Sequence, residues 1–213
     1  DDGIFVFELP YWKDTFTSKK FDQIYHEHVS YFTVKSSYYL LKEAGLEIVD
    51  IEEVDYHGGS IRVFAKRSHS TELTEKISSA IKVEEELGLF KAETYVEWQK
   101  EIQHSRNVFL KRLYDIRVDN PHIPIIGVGA AAKANTFLNY YNLDASVLDY
   151  ITDSSEFKQG KYTPLTRIPV VSDDIFATYN EVYALILSWN ISDILKQILL
   201  KINPNIQFID IEA

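Results

Sequence analysis

From residue 123 to residue 211, short apolar runs alternate with stretches of helical periodicity. The runs at 123–128, 147–152, 183–188 and 206–211 read as strands. Residues 130–141 and 191–202 read as helices between them, with a shorter helix over 173–178. Strands that are apolar on both faces and separated by helices specify a doubly wound parallel sheet. Asn120-Pro121 opens this part, and the full chain of 213 residues suits one large or two small domains.

The preceding residues carry a different pattern. IFVFEL at 4–9 reads as a buried strand ended by Pro10, and 10–20 reads as a loop. Residues 34–44 place Tyr38, Leu41 and Ala44 on one helix face, with Gly45 as C-cap. Residues 46–54 alternate as a strand, 56–59 turn, and 60–66 return. This is the closing portion of an α/β sheet. Two helices follow. One spans 71–87 with Leu73, Ile77, Ile81 and Leu87 on one face and Glu84-Glu85-Glu86 as a solvated edge. The other spans 93–115 with Tyr95, Trp98, Ile102, Phe109 and Leu113 as its stripe. The predicted division is 1–68, a helical connector at 69–118, and a second sheet domain at 119–213.

A net charge of −10 argues against a broad nucleic-acid surface, although Lys133, Lys158, Lys161 and Arg167 gather near the later glycines. No apolar run reaches the roughly 20 residues that span a bilayer, so no membrane partner is expected. With no cysteine there is no disulfide and no thiolate zinc site, and a cytoplasmic location is expected. The chain contains no Met, and Asp1-Asp2-Gly3 runs straight into an apolar strand, so a fragment cut within a domain is expected.

Two clusters carry chemistry. FDQIYHEHVSYF at 21–32 sets Asp22, Tyr25, His26, Glu27, His28 and Tyr31 among apolar residues. Histidine is suited to proton transfer near neutrality, and an adjacent Glu or Tyr can orient such a base. Read alone, such a cluster is more often a satisfied structural network. His26 and His28 are two apart and lack the i, i+4 spacing of a helical zinc site. GVGAAAK at 127–133 joins a strand to a helix, where glycine and the helix dipole favour an approaching phosphate. Ala132 replaces the third glycine of a dinucleotide fingerprint, which counts against NAD. By Rossmann analogy Asp149 or Asp153 could hold a ribose hydroxyl, and the end of a strand and start of a loop accounts for both acids at least as well. His69 and His104 read as surface residues.

FDQIYHEHVSYF, HGGSIR at 57–62, GVGAAAKANT at 127–136 and KQGKYTP at 158–164 occur in an order that resembles the C-terminal half of the sugar C-methyltransferases. Those enzymes use S-adenosylmethionine to methylate a carbon of a nucleotide-linked 4-keto deoxysugar. The resemblance implies that the first sheet closes a class I methyltransferase-like domain, and that the second, Rossmann-like domain holds nucleotide sugar rather than S-adenosylmethionine. It implies that His28 removes a proton beside the ketone, that Glu27 and Tyr25 orient the base or touch substrate, and that His26 lies near them. His57 and Arg62 would border the site. Gly129, Ala130, Ala131 and Lys133 would lie near the diphosphate or sugar, with Lys158, Lys161, Tyr162 and Thr163 in a facing loop. The nucleotide expected is thymidine diphosphate. The S-adenosylmethionine loop, its ribose-binding acid and a zinc-binding segment would all precede Asp1, leaving this chain inactive alone. Ala134 and Leu165-Thr166-Arg167 depart from the family's glycine and Gly-Thr-His. The rival expectations are a non-catalytic sugar-nucleotide-binding module and an NAD-dependent oxidoreductase.

Overall fold

The computed structural model describes residues 3–56, 58–67 and 72–211. Contacts divide the chain into two units: Asp1–Phe21 with Glu27–Ile102, and Asp22–His26 with Gln103–Ala213.

The first unit contains β1 (Ile4–Pro10), α1 (Trp12–Thr17), α2 (Val34–Glu43), β2 (Leu46–Val54), β3 (Ser60–Arg67), α3 (Glu75–Glu86) and the opening turns of α4 (Ala92–Asp119). Its sheet has the order β1-β3-β2, with both pairings antiparallel. Tyr11, Val34, Leu41, Ile48, Ile51, Ile61, Val63, Ala65 and Ile77 form its core. The alternation along β2 and β3 puts one face of the hairpin inward, and the apolar stripes of α2 and α3 cover it.

Three readings of this half need correction. β1 is an edge strand rather than a buried one: Ile4 is 62%, Phe5 52% and Val6 46% exposed. An apolar run cannot show whether neighbours will cover it. Residues 12–17, read as loop, form α1. Aromatic packing supports this short helix: Phe16 stacks on Trp98 at 5.8 Å, and Trp98 Nε1 donates to the Phe16 carbonyl at 2.8 Å. Tertiary contacts override weak local propensity here. Glu84, read as part of a solvated edge, is fully buried on α3.

The second unit contains the remainder of α4, then β4 (Ile125–Val128), α5 (Ala132–Tyr141), β5 (Tyr150–Thr152), β6 (Val170–Val171), β7 (Val182–Ile186), α6 (Ser192–Ile202) and β8 (Ile206–Ile209). Its five strands are all parallel, in the order β6-β5-β4-β7-β8. The expected α/β class and parallel sheet are present, in an order compatible with a Rossmann-like fold. Ile125, Ile126, Ala184 and Leu185 are completely buried, as strands covered on both faces require. The chain leaves β4 first toward β5 and β6, then returns to β7 and β8. The reversal therefore falls between β4 and β7, where ligands of such sheets bind beyond the carboxyl ends.

Candidate functional site

The carboxyl end of β4 meets that of β7 at Gly129. Its φ of +97° is open to glycine, and a Cβ there would lie 2.1 Å from Ser188 Oγ. The close approach follows from β4–β7 pairing, since the Leu187 N–H donates to the Val128 carbonyl at 3.0 Å. Ala131 N-caps α5 without a side-chain cap hydrogen bond. Lys133, in the first turn, lies 4.2 Å over the Trp189 ring and donates to Asn190. Trp189 Nε1 donates to Asp22 Oδ2 at 2.6 Å. Asp22 and Gln23 are each only 5% exposed. A 167-residue separation is thus closed by one hydrogen bond, which ties the start of the Tyr-His-Glu-His segment to the switch-point end of the second sheet. A cavity of about 340 Å³ adjoins it, lined by Trp189 to Ile194.

Asp153 stands at the carboxyl end of β5. Its Oδ2 accepts from the Ala130 N–H at 2.9 Å and from Lys158 Nζ at 2.8 Å, and its Oδ1 from the Ser155 N–H at 2.9 Å. Burial alone would raise its pKa, but Lys158 and the two backbone donors hold it below the usual carboxylate value. Asp153 thereby fixes the Gly129-Ala130 turn and the 158–163 loop together. Lys161 and Tyr162 are exposed on that loop. Thr163 is buried; its Oγ1 pairs with Thr166 at 2.7 Å and accepts from the Ile168 N–H at 2.9 Å, which shapes the loop. The other acid considered for ribose, Asp149, precedes β5. It accepts from Arg117 at 2.7 Å and the Ile125 N–H at 2.9 Å, at the opposite end of the sheet from the turn.

The His-Glu-His segment is shared between the units. Tyr25 and His26 belong to the second, their rings edge to face at 6.5 Å. Glu27 and His28 belong to the first. There the half-buried His28 ring meets Tyr31 edge to face at 6.4 Å, and Tyr31 lies 5.0 Å from Trp12. Trp12 Nε1 donates to Tyr95 Oη at 2.8 Å, and Tyr95 donates to the Leu89 carbonyl at 2.7 Å. His28 therefore ends an aromatic chain rooted in α4. Arg62 on β3 pairs with Glu8 on β1 at 2.8 Å and Glu52 on β2 at 2.5 Å, bracing the sheet. His57 lies outside the described residues.

The model of the C-methyltransferase C-terminal domain matches residues 55–209. The chain belongs to that family. The C-methyltransferase NovU of Streptomyces niveus is 32% identical over 190 residues, which are 89% of this chain and 45% of the relative. The chain thus spans less than half the length of that curated C-methyltransferase.

Within this C-methyltransferase family member, Ser188, Trp189, Asn190 and Asp22 were not read from the sequence as site residues. A tryptophan directly after an apolar strand at a parallel sheet's carboxyl end was the available signal. Among the described residues no group of three His, Cys, Asp or Glu side chains is arranged to hold a metal ion. The described residues also do not fit S-adenosylmethionine. Asp14 fills the space beside Gly59, Ser188 fills that beside Gly129, and Asp153 is engaged by three donors. No helix among the described residues is long and apolar enough to cross a membrane.

Proposed function

We propose that this chain is the substrate-binding and base-bearing portion of an S-adenosylmethionine-dependent C-methyltransferase acting on a nucleotide-linked 4-keto deoxysugar. The observation that carries the reading is the Asp22–Trp189 hydrogen bond. It draws the segment leading to Tyr25 and His26 into the unit whose glycine turn is suited to a diphosphate. In this reading residues 1–68 close a class I methyltransferase-like sheet, residues 69–118 connect, and 119–213 form the nucleotide-sugar domain. The methyl-donor site lies in the remainder of a protein of the relative's length.

The half-buried α5 entrance at Ala130 and Ala131, with Lys133, receives the diphosphate. Lys158, Lys161 and Tyr162 flank it from a loop shaped by Thr163. The His28 imidazole takes the proton from the carbon beside the ketone. The C–H electron pair moves toward the carbonyl oxygen, and Glu27 and Tyr25 orient the base or contact the substrate. His26, His57 and Arg62 border the substrate, with Arg62 also bracing the strands it sits among.

Calorimetric titration with thymidine diphosphate tests the substrate-domain reading, with NAD and S-adenosylmethionine as controls. Saturable binding of the diphosphate alone is expected. Binding of NAD instead would replace the reading with an oxidoreductase.

A further inference from the structure

Glu84 is the most deeply buried carboxylate among the described residues, and every oxygen of it is engaged. Its Oε1 accepts from Tyr11 Oη at 2.8 Å and from the Val34 N–H at 2.6 Å, and its Oε2 from the Lys35 N–H at 3.0 Å. Val34 and Lys35 are the first two residues of α2. The first four N–H groups of a helix have no partner within it. Here the capping box satisfies two of them, the Thr33 N–H through Ser36 Oγ at 2.9 Å and the Ser36 N–H through Thr33 Oγ1 at 3.0 Å, so α3's Glu84 satisfies the two that remain.

The segment bearing His28 enters α2 at this point. Phe32, just before the Thr33 cap, forms a parallel bridge with Tyr11, and its carbonyl accepts from the Trp12 N–H at 2.9 Å. Tyr11 and Trp12 thus hold the same short stretch from two sides. Tyr11 does so through Glu84, and Trp12 through Tyr31, the ring that His28 meets. Next along the helix, Lys35 pairs with Glu85 at 2.6 Å, which adds a second tie between α2 and α3.

We infer that Glu84 is a positioning residue for the base at His28, its carboxylate clamping the first turn of α2 to Tyr11 and so fixing the end of the segment that carries the imidazole. This rests on the proposed role of His28. A local cap would affect only stability. A clamp that begins six residues after the base also sets where the ring lies, and rate is sensitive to displacements of about 1 Å.

The test uses the full-length enzyme with thymidine diphosphate-linked 4-keto-6-deoxyglucose in deuterium oxide, without methyl donor. Proton removal to His28 breaks the C–H bond beside the ketone, and return of a solvent deuteron leaves labelled sugar. Glu84→Gln keeps shape but presents an amide N–H₂ where a carboxylate oxygen accepted. It is expected to lower both exchange and kcat about tenfold or more at temperatures well below unfolding, with KM for the sugar within about twofold. Should Glu84→Gln fail to fold, Tyr11→Phe removes one donor and should give a smaller loss with the same kcat-only signature. Wild-type exchange in either folded variant overturns the inference, as does a loss that tracks only the fraction unfolded. Absence of exchange in the wild type overturns the proposed base, and with it this inference.

Discussion

IFVFEL in β1 and IPIIGV around β4 are apolar runs of the same length, yet they have opposite fates. In the second unit Ile125 and Ile126 are fully buried between flanking parallel strands. In the first, Ile4, Phe5 and Val6 are exposed on an edge that pairs only with β3 among the described strands. An uncovered apolar edge is a liability that proteins normally hide. In the proposed function, further strands of a longer protein cover β1, whereas β4 is already flanked by β5 and β7. The two units differ in electrostatics too. Tyr11 in the first has its phenol raised well above 10.0, by burial and then by the Glu84 carboxylate. Asp153 in the second is held below 3.8 despite burial, by Lys158 and backbone donors.

The largest effect is expected in the closed sheet. Ile126→Ala should cost about 2–5 kcal/mol in urea unfolding, because it opens a cavity in a fully packed strand. Asp153→Asn should cost about 1–3 kcal/mol by breaking charge-assisted bonds to the Gly129-Ala130 turn and its loop, and should weaken thymidine diphosphate binding in the same titration. The pH dependence separates the units in opposite directions. A lowered carboxylate contributes stability that is present above its unfolded pKa and lost as pH falls through the folded value. A raised phenol contributes stability that is present below pH 10.0 and lost as pH rises above it. Unfolding free energy followed by pH should show an acid limb that Asp153→Asn flattens and an alkaline limb that Tyr11→Phe flattens. Arg62→Ala should cost under about 1 kcal/mol, since its ion pairs are partly exposed. Phe5→Asp should change this chain's stability by about 0.5 kcal/mol or less. In the full-length protein it should be clearly destabilising; equal small costs in both would make β1 a natural edge and break the comparison.

Strand and helix alternation was legible in the second half because each element has its own period, and GVG marks the turn from β4 to α5. The two residues of β6 were too short to leave a pattern. In the first half, α2, β2 and β3 were readable from alternation and a glycine cap. The fate of β1 was not, since exposure depends on neighbours. Glu84 shows the same limit: three adjacent glutamates read as a solvated edge until the α2 entrance and Tyr11 meet one of them. At the site, the YHEH motif was visible through family resemblance. Its attachment was not, because Asp22 and Trp189 are brought together only by the fold.

The central claim is that His28 is the base of a sugar C-methyltransferase. Methyl transfer from S-adenosylmethionine to carbon of thymidine diphosphate-linked 4-keto-6-deoxyglucose should be measured in the full-length enzyme and its His28→Ala variant, with sugar-nucleotide affinity followed in parallel. The account predicts that methylation is abolished while affinity stays within a few-fold. Normal turnover in the variant would contradict it.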